Sequence, residues 1–157
     1  MVGAALMISS GNEIVRKNQV EDPANWISDQ LASAIAKKHG PALIGKKHIT
    51  SESPSAIASE CSGADYALDV RTINWSFAYF PVNWGTYRVI YSVKLRLIDC
   101  KTGKVIAEGF YARVPEKFEQ SPSYDGLVNS NAAGLKRELR IGAAESLAHF
   151  KKDILNL

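Results

Sequence analysis

The sequence predicts an α+β fold: an antiparallel sheet of three to five strands with helices packed on one face, in the order (β)αβαβββα. Three observations predict it. Two segments opened by Asp-Pro or Ser-Pro and closed by Gly read as helices. From Asp65 to Tyr111 apolar residues return with a period of two. Toward the C-terminus the apolar side chains fall instead at steps of three and four.

The chain has 157 residues, 46% of them hydrophobic and 22% charged. That is enough for one domain with a real core and too apolar for long disorder. A formal charge of +3 is only mildly basic, short of the concentrated footprint of a nucleic-acid binder. No apolar run reaches the ~18 residues of a transmembrane helix.

Residues 1–21 read as an N-terminal connector, in which "VGAALMI" has the character of an edge strand. "MVGAALMISS" shows neither a basic leader nor a cleavage pattern and does not read as a signal peptide. Residues 22–157 read as the single α+β domain.

Asp22 is a good N-cap and Pro23 suits the first helical position; Trp26, Ile27, Leu31, Ala34 and Ile35 recur on one face. Lys37, Lys38 and His39 lie at the negative end of the dipole, Gly40 can take the left-handed cap, and Pro41 prevents continuation. "ALIGKKHI", residues 42–49, predicts a brief strand. Ser53, Pro54 and Gly63 then frame a short second helix.

Tyr66, Leu68 and Val70 share one strand face, and Val89, Tyr91, Val93, Leu95 and Leu97 share that of the next. "DCKTGK" supplies the following turn, with Gly103 suited to positive φ, and Val105, Ala107, Gly109 and Tyr111 continue the alternation. A slip of one residue would turn the apolar set outward, so Leu68 and Val70 belong beside Val93, Leu95 or Leu97. That sets Asp69 opposite Lys94 or Arg96 and Lys94 near Glu108, on a face expected to meet solvent. Val128, Ala132, Leu135, Leu139, Ala143, Leu147, Phe150 and Ile154 define a long final helix, with bends expected near 129–131 or Gly142.

No catalytic set emerges. "KTGK" at 101–104 lacks the phosphate-loop spacing and is better explained as a turn. His39, His48 and His149 share no metal-ligand spacing, and the cysteines form no C-x-x-C. No serine sits in G-x-S-x-G. The reading is therefore of a non-enzyme, with no metal and no cofactor.

Two features remain open. A hairpin folding around Pro81 and Val82 would bring Cys61 and Cys100 to one end of the sheet, either bridged or as two unpaired thiols; a bridge would need an oxidising compartment. Trp75, Phe77, Tyr79, Phe80, Trp84 and Tyr87 crowd the hairpin, with Arg88 beside them. They either pack across the strands or form an exposed binding tip for a protein, glycan or membrane interface. "GFYARV" at 109–114 echoes an RNA-recognition strand, but the order of elements differs from β-α-β-β-α-β, so nucleic acid is disfavoured.

"GADYALDVRT" followed by "YRVIYSVKLRLIDCKTGKVIAEG" resembles a pattern of bacterial envelope lipoproteins, in which a helix leads to "ADYVL", a long hairpin follows and "RLIDxxTGKV" makes the next turn. The domain shared by curli-secretion and penicillin-binding-protein-activator lipoproteins, and the TolB amino-terminal domain, are of this type. With "GNEIVRKNQVEDPA" and "SFAYFPVNW" added, the chain is similar to small Gram-negative periplasmic and outer-membrane lipoproteins. The resemblance implies a periplasmic domain tethered to the outer membrane by a lipidated cysteine, which would belong to a leader outside these residues. It implies no catalytic residues. The function expected is that of a protein-interaction or assembly module in the envelope, with an envelope protein as partner. The alternative is a small-ligand binder using a pocket between the C-terminal helix and the sheet.

Overall fold

Proline and glycine punctuation sets the helices much as the sequence suggests. The computed structural model describes residues 12–40, 44–61 and 63–157; the edge strand expected at residues 2–8 lies outside them. Asp22 accepts the Ala24 N–H at 2.9 Å to start helix α2 (Pro23–His39), and Gly40, at φ 70°, closes it by donating to the Ala36 carbonyl. The buried face is Ala24, Ile27 and Leu31. Trp26, expected on that face, is exposed, because steps of three and four from Ile27 lead to Ala24 and Leu31 and leave residue 26 about a quarter turn away. Helix α3 (Pro54–Ser59) buries only Ile57.

Residues 12–18 form a short helix, α1, where a connector was expected. So few residues are marginal as an isolated helix. Ile14 and Val20 pack against the core, and this burial, invisible as periodicity in so short a stretch, stabilises the turn. Conversely, no strand forms over 44–49, the described part of the brief strand expected at 42–49. That segment continues to residue 52 as an irregular strap, and the carbonyls of residues 49–52 bond to side chains instead of to a sheet.

The sheet has three antiparallel strands in the order β1 (Tyr66–Phe80), β2 (Asn83–Asp99) and β3 (Val105–Arg113). Leu68 lies opposite Leu97, Val70 opposite Leu95 and Asp69 opposite Arg96. A register shift then inserts Ile73, after which Trp75 faces Tyr91 and Phe77 faces Val89. This β-bulge switches the inward parity of β1 from even to odd residues, so both its apolar halves reach the same core. At the β2–β3 turn the Asp99 carboxylate accepts the Lys101 and Thr102 N–H groups at 2.9 and 2.8 Å. The Thr102 bond, chiefly, holds the Asp99 carboxyl below its usual range. Gly103 takes φ 67° to complete the turn.

The last helix, α4 (Tyr124–His149), is broken where a bend was expected: Asn129 is extended, and Ser130, Asn131 and Ala132 all adopt left-handed backbone. The break folds Gly134 back onto Gly126, so closely that a Cβ on Gly134 would lie 2.0 Å from the Gly126 carbonyl oxygen. A π-helical turn, Phe150–Ile154, ends the domain's helical layer. Ile27, Leu31, Val89, Tyr91, Val93, Leu95, Leu127, Leu135, Leu139 and Phe150 make the core between that layer and the sheet.

Candidate functional site

The aromatic hairpin divides into a packed stem and an exposed tip. Trp75, Phe77 and Tyr87 lie on the inward face and pack against the core. Phe77 and Tyr87 stand edge-on at 6.2 Å, and both meet Tyr124 at the start of α4, at 6.0 and 5.7 Å. Phe80 points to the opposite face and is only 3% exposed. It packs edge-on against Phe118 at 6.2 Å, and the Arg88 guanidinium covers it 5.4 Å from the ring centre. Arg88 Nε is buried there without a hydrogen-bond partner.

The tip is different. Tyr79 and Trp84 stack with ring centres 4.9 Å apart and planes 13° from parallel. Trp84 is 72% exposed, and Val82 at the apex is 79% exposed. Of the seven side chains considered from the sequence, Tyr79 and Trp84 form the outward surface; Trp75, Phe77, Phe80, Tyr87 and Arg88 hold the ribbon in place. Val82 was missed, although the second residue of a two-residue turn must stand at the apex. Phe118 was also missed; its only signal is a lone aromatic in the charged run "PEKFEQ".

The charged sheet face does not simply meet solvent, as the alternation suggested. Arg71 Nε and Arg96 Nη2 donate to the two oxygens of Asp69 at 2.8 and 2.6 Å. The strap lies over this cluster. Arg71 donates to the carbonyls of Ile49 at 3.1 Å, Thr50 at 3.2 Å and Ser51, and Arg96 to that of Glu52 at 2.8 Å. The physical reason is local: a strap without sheet partners has carbonyls to satisfy, and forked guanidinium groups can take several at once. Lys94 does pair with Glu108, as expected. With Asp69 shared by two arginines, the cluster binds structure together and has no free base to offer.

Cys61 and Cys100 form a disulfide with Cα atoms 5.9 Å apart. The adjacent Cys100 N–H donates to the Asp65 carbonyl at 2.9 Å, which fixes the level of the two chain segments. Neither sulfur is therefore a thiol nucleophile. His149 Nδ1 meets Asp153 Oδ2 at 2.9 Å, an exposed pair one helical turn apart. Among the described residues no group of three His, Cys, Asp or Glu side chains gathers as a metal would require, and no helix is long and apolar enough to cross a membrane.

Between α4 and the sheet the space is filled by Tyr91, Leu135, Leu139 and Phe150. Two open concavities lie at its margins. One of about 340 Å³ lies between Glu145 of α4 and the end of β3, from Tyr111 to Pro115, and one of about 510 Å³ lies between α1 and Tyr124–Ser130. Comparison with protein-family models, with curated proteins and with solved structures finds no match for this chain. The fold and these sites define a disulfide-tied α+β domain with an apolar, rigidly mounted tip.

Proposed function

We propose that this domain is a non-enzymatic interaction module of the bacterial envelope, docking a protein partner through the hairpin tip. The observation that carries the reading is the exposed Tyr79–Trp84 stack with Val82 at its apex. Between Arg71 and Arg88 no residue is charged, so the tip loses little solvation when covered. The packed stem holds it in one geometry before binding, which lowers the ordering cost of association. Aromatic anchors of this kind carry a large share of interface energy. The disulfide supports an oxidising compartment such as the periplasm, because cytosolic thiols are ordinarily kept reduced.

A photo-crosslinking residue at position 84 tests the reading in periplasmic extracts. It is expected to trap one discrete partner, and the same residue at the exposed position 152 is expected not to. Trp84→Ala should weaken capture by at least about tenfold, as loss of a central aromatic contact implies, with the thermal unfolding curve unchanged. Capture by Trp84→Ala equal to wild type rejects the tip as the docking surface.

A further inference from the structure

The two outer strands of the sheet are protected unequally. β1 is guarded: a bulge at Ile73 interrupts it, Thr72 is tied to Asp22, and Arg71 is tied to the strap. Bulges and covering loops are the usual means of stopping a sheet edge from pairing with another chain. β3 has none of these on its free side. Its bulge, at Ile106, lies where the strand begins, and the remaining residues pair regularly from Ala107–Leu97 to Arg113–Tyr91. Among the described residues, no backbone hydrogen bond from Ala107–Arg113 runs to any element other than β2.

Large apolar side chains line this open edge. Phe110 is 56% exposed, Ile106 52% and Val114, one residue beyond the strand, 47%. An exposed edge strand carrying apolar side chains is a template for strand addition.

We infer that the β3 edge is a self-association surface, on which a second copy of this chain adds its own β3 antiparallel to make a continuous six-stranded sheet. The sequence of β3 is self-complementary in one register. With the twofold axis at Phe110, Phe110 lies opposite its own copy and Ile106 lies opposite Val114. Glu108 then faces Ala112, which leaves its pairing with Lys94 undisturbed. On the inner face Tyr111 lies opposite Gly109 and Arg113 opposite Ala107, so no like charges meet across the new ladder. Gly109 itself must stay small, since a Cβ there would lie 2.7 Å from Ile154.

Sedimentation equilibrium over a series from micromolar to millimolar protein tests the inference. Wild type should pass from monomer to dimer, and Phe110→Lys should weaken that association by at least about tenfold while keeping the wild-type melting curve, since a charge at a strand edge blocks pairing. Trp84→Ala should associate like wild type. A Phe110→Cys variant should cross-link across the axis on mild oxidation, and Trp84→Cys should not, with mass spectrometry confirming that the Cys61–Cys100 bond persists. A wild-type protein monomeric throughout the series overturns the inference, as does a Phe110→Lys variant that dimerises as tightly as wild type. Absence of the position-110 cross-link in a proven dimer overturns the Phe110-centred pairing.

Discussion

Asp22 links three parts of the molecule through one carboxylate. It caps α2, and its Oδ1 also accepts the Thr72 hydroxyl at 2.5 Å. A carboxylate can only accept, so the Thr72 hydrogen is committed to it, and the Tyr91 hydroxyl, 3.1 Å away, must donate to Thr72. Tyr91 is fully buried. Burial, aided by the Asp22 charge, pushes its pKa from 10.0 to about 12. An unfolded tyrosine ionises near 10, so between these values the unfolded chain holds fewer protons than the native one, and stability falls as pH rises. Tyr91's contribution is complete below about pH 10 and lost by about pH 12, a change of roughly 3 kcal/mol at 1.36 kcal/mol per unit. Urea titrations from pH 9 upward should show this decline. In Tyr91→Phe the part of the slope due to this residue should be missing; a variant with the full wild-type slope would refute the assignment.

At the scale of elements, what was legible in the sequence is what local chemistry determines. The caps of α2 required only Asp22, Pro23 and Gly40, and the β2–β3 turn only Asp99 and Gly103. Alternation alone narrowed the cross-strand partner of Asp69 to Lys94 or Arg96, and the register takes Arg96. What was not legible depends on contacts distant in sequence. The bulge at Ile73 exists because both halves of β1 must face one core. The strap over Asp69, Arg71 and Arg96 exists because guanidinium groups far along the chain take its carbonyls. The aromatic cluster was legible as a cluster, but its division into stem and tip depends on the bulge, which has no local signal, and on Phe118, whose contact with Phe80 spans residues far apart in sequence. The break in α4 is similar: a bend was legible, its left-handed turn was not. That break gives Gly134 an unusual role. In an ordinary helix Gly→Ala stabilises by roughly 1 kcal/mol. Here the added Cβ would meet the Gly126 carbonyl at 2.0 Å, a backbone atom that cannot rotate away. Gly134→Ala should therefore destabilise, by about 1–3 kcal/mol as overpacking does, seen as a lower urea midpoint with an unchanged slope. A stabilised variant would show that the two halves of α4 do not approach this closely.

The molecule as a whole is a sheet with unequal coverings. On one face, α1, α2 and α4 build the main core; on the other, the strap and α3 lie across the end nearest the β2–β3 turn, and Phe118 covers Phe80 toward the hairpin tip. That second layer buries little apolar surface of its own, Ile57 being its one buried aliphatic residue among those described. Its other ties include the arginine bonds to strap carbonyls, the Lys46–Asp29 ion pair to α2 and the Cys61–Cys100 bridge. The bridge joins residues 39 apart in sequence, and closing a loop of that length in the unfolded chain is worth about 4 kcal/mol on the entropy model. The disulfide thus has a general effect through the unfolded state and a local one, since it pins the minor layer to the sheet. The two effects separate experimentally. Replacing both cysteines by serine should lower unfolding stability by about 3–4 kcal/mol. It should also speed amide exchange in residues 55–60 more than in β2, whose hydrogen bonds are covered by the main core. If exchange rises uniformly across both regions, the bridge acts through the unfolded chain alone and the minor layer is held by its arginines. If α3 alone loosens and global stability is unchanged, the loop-entropy account fails, and the bridge serves only to keep this thin covering closed over the charged face.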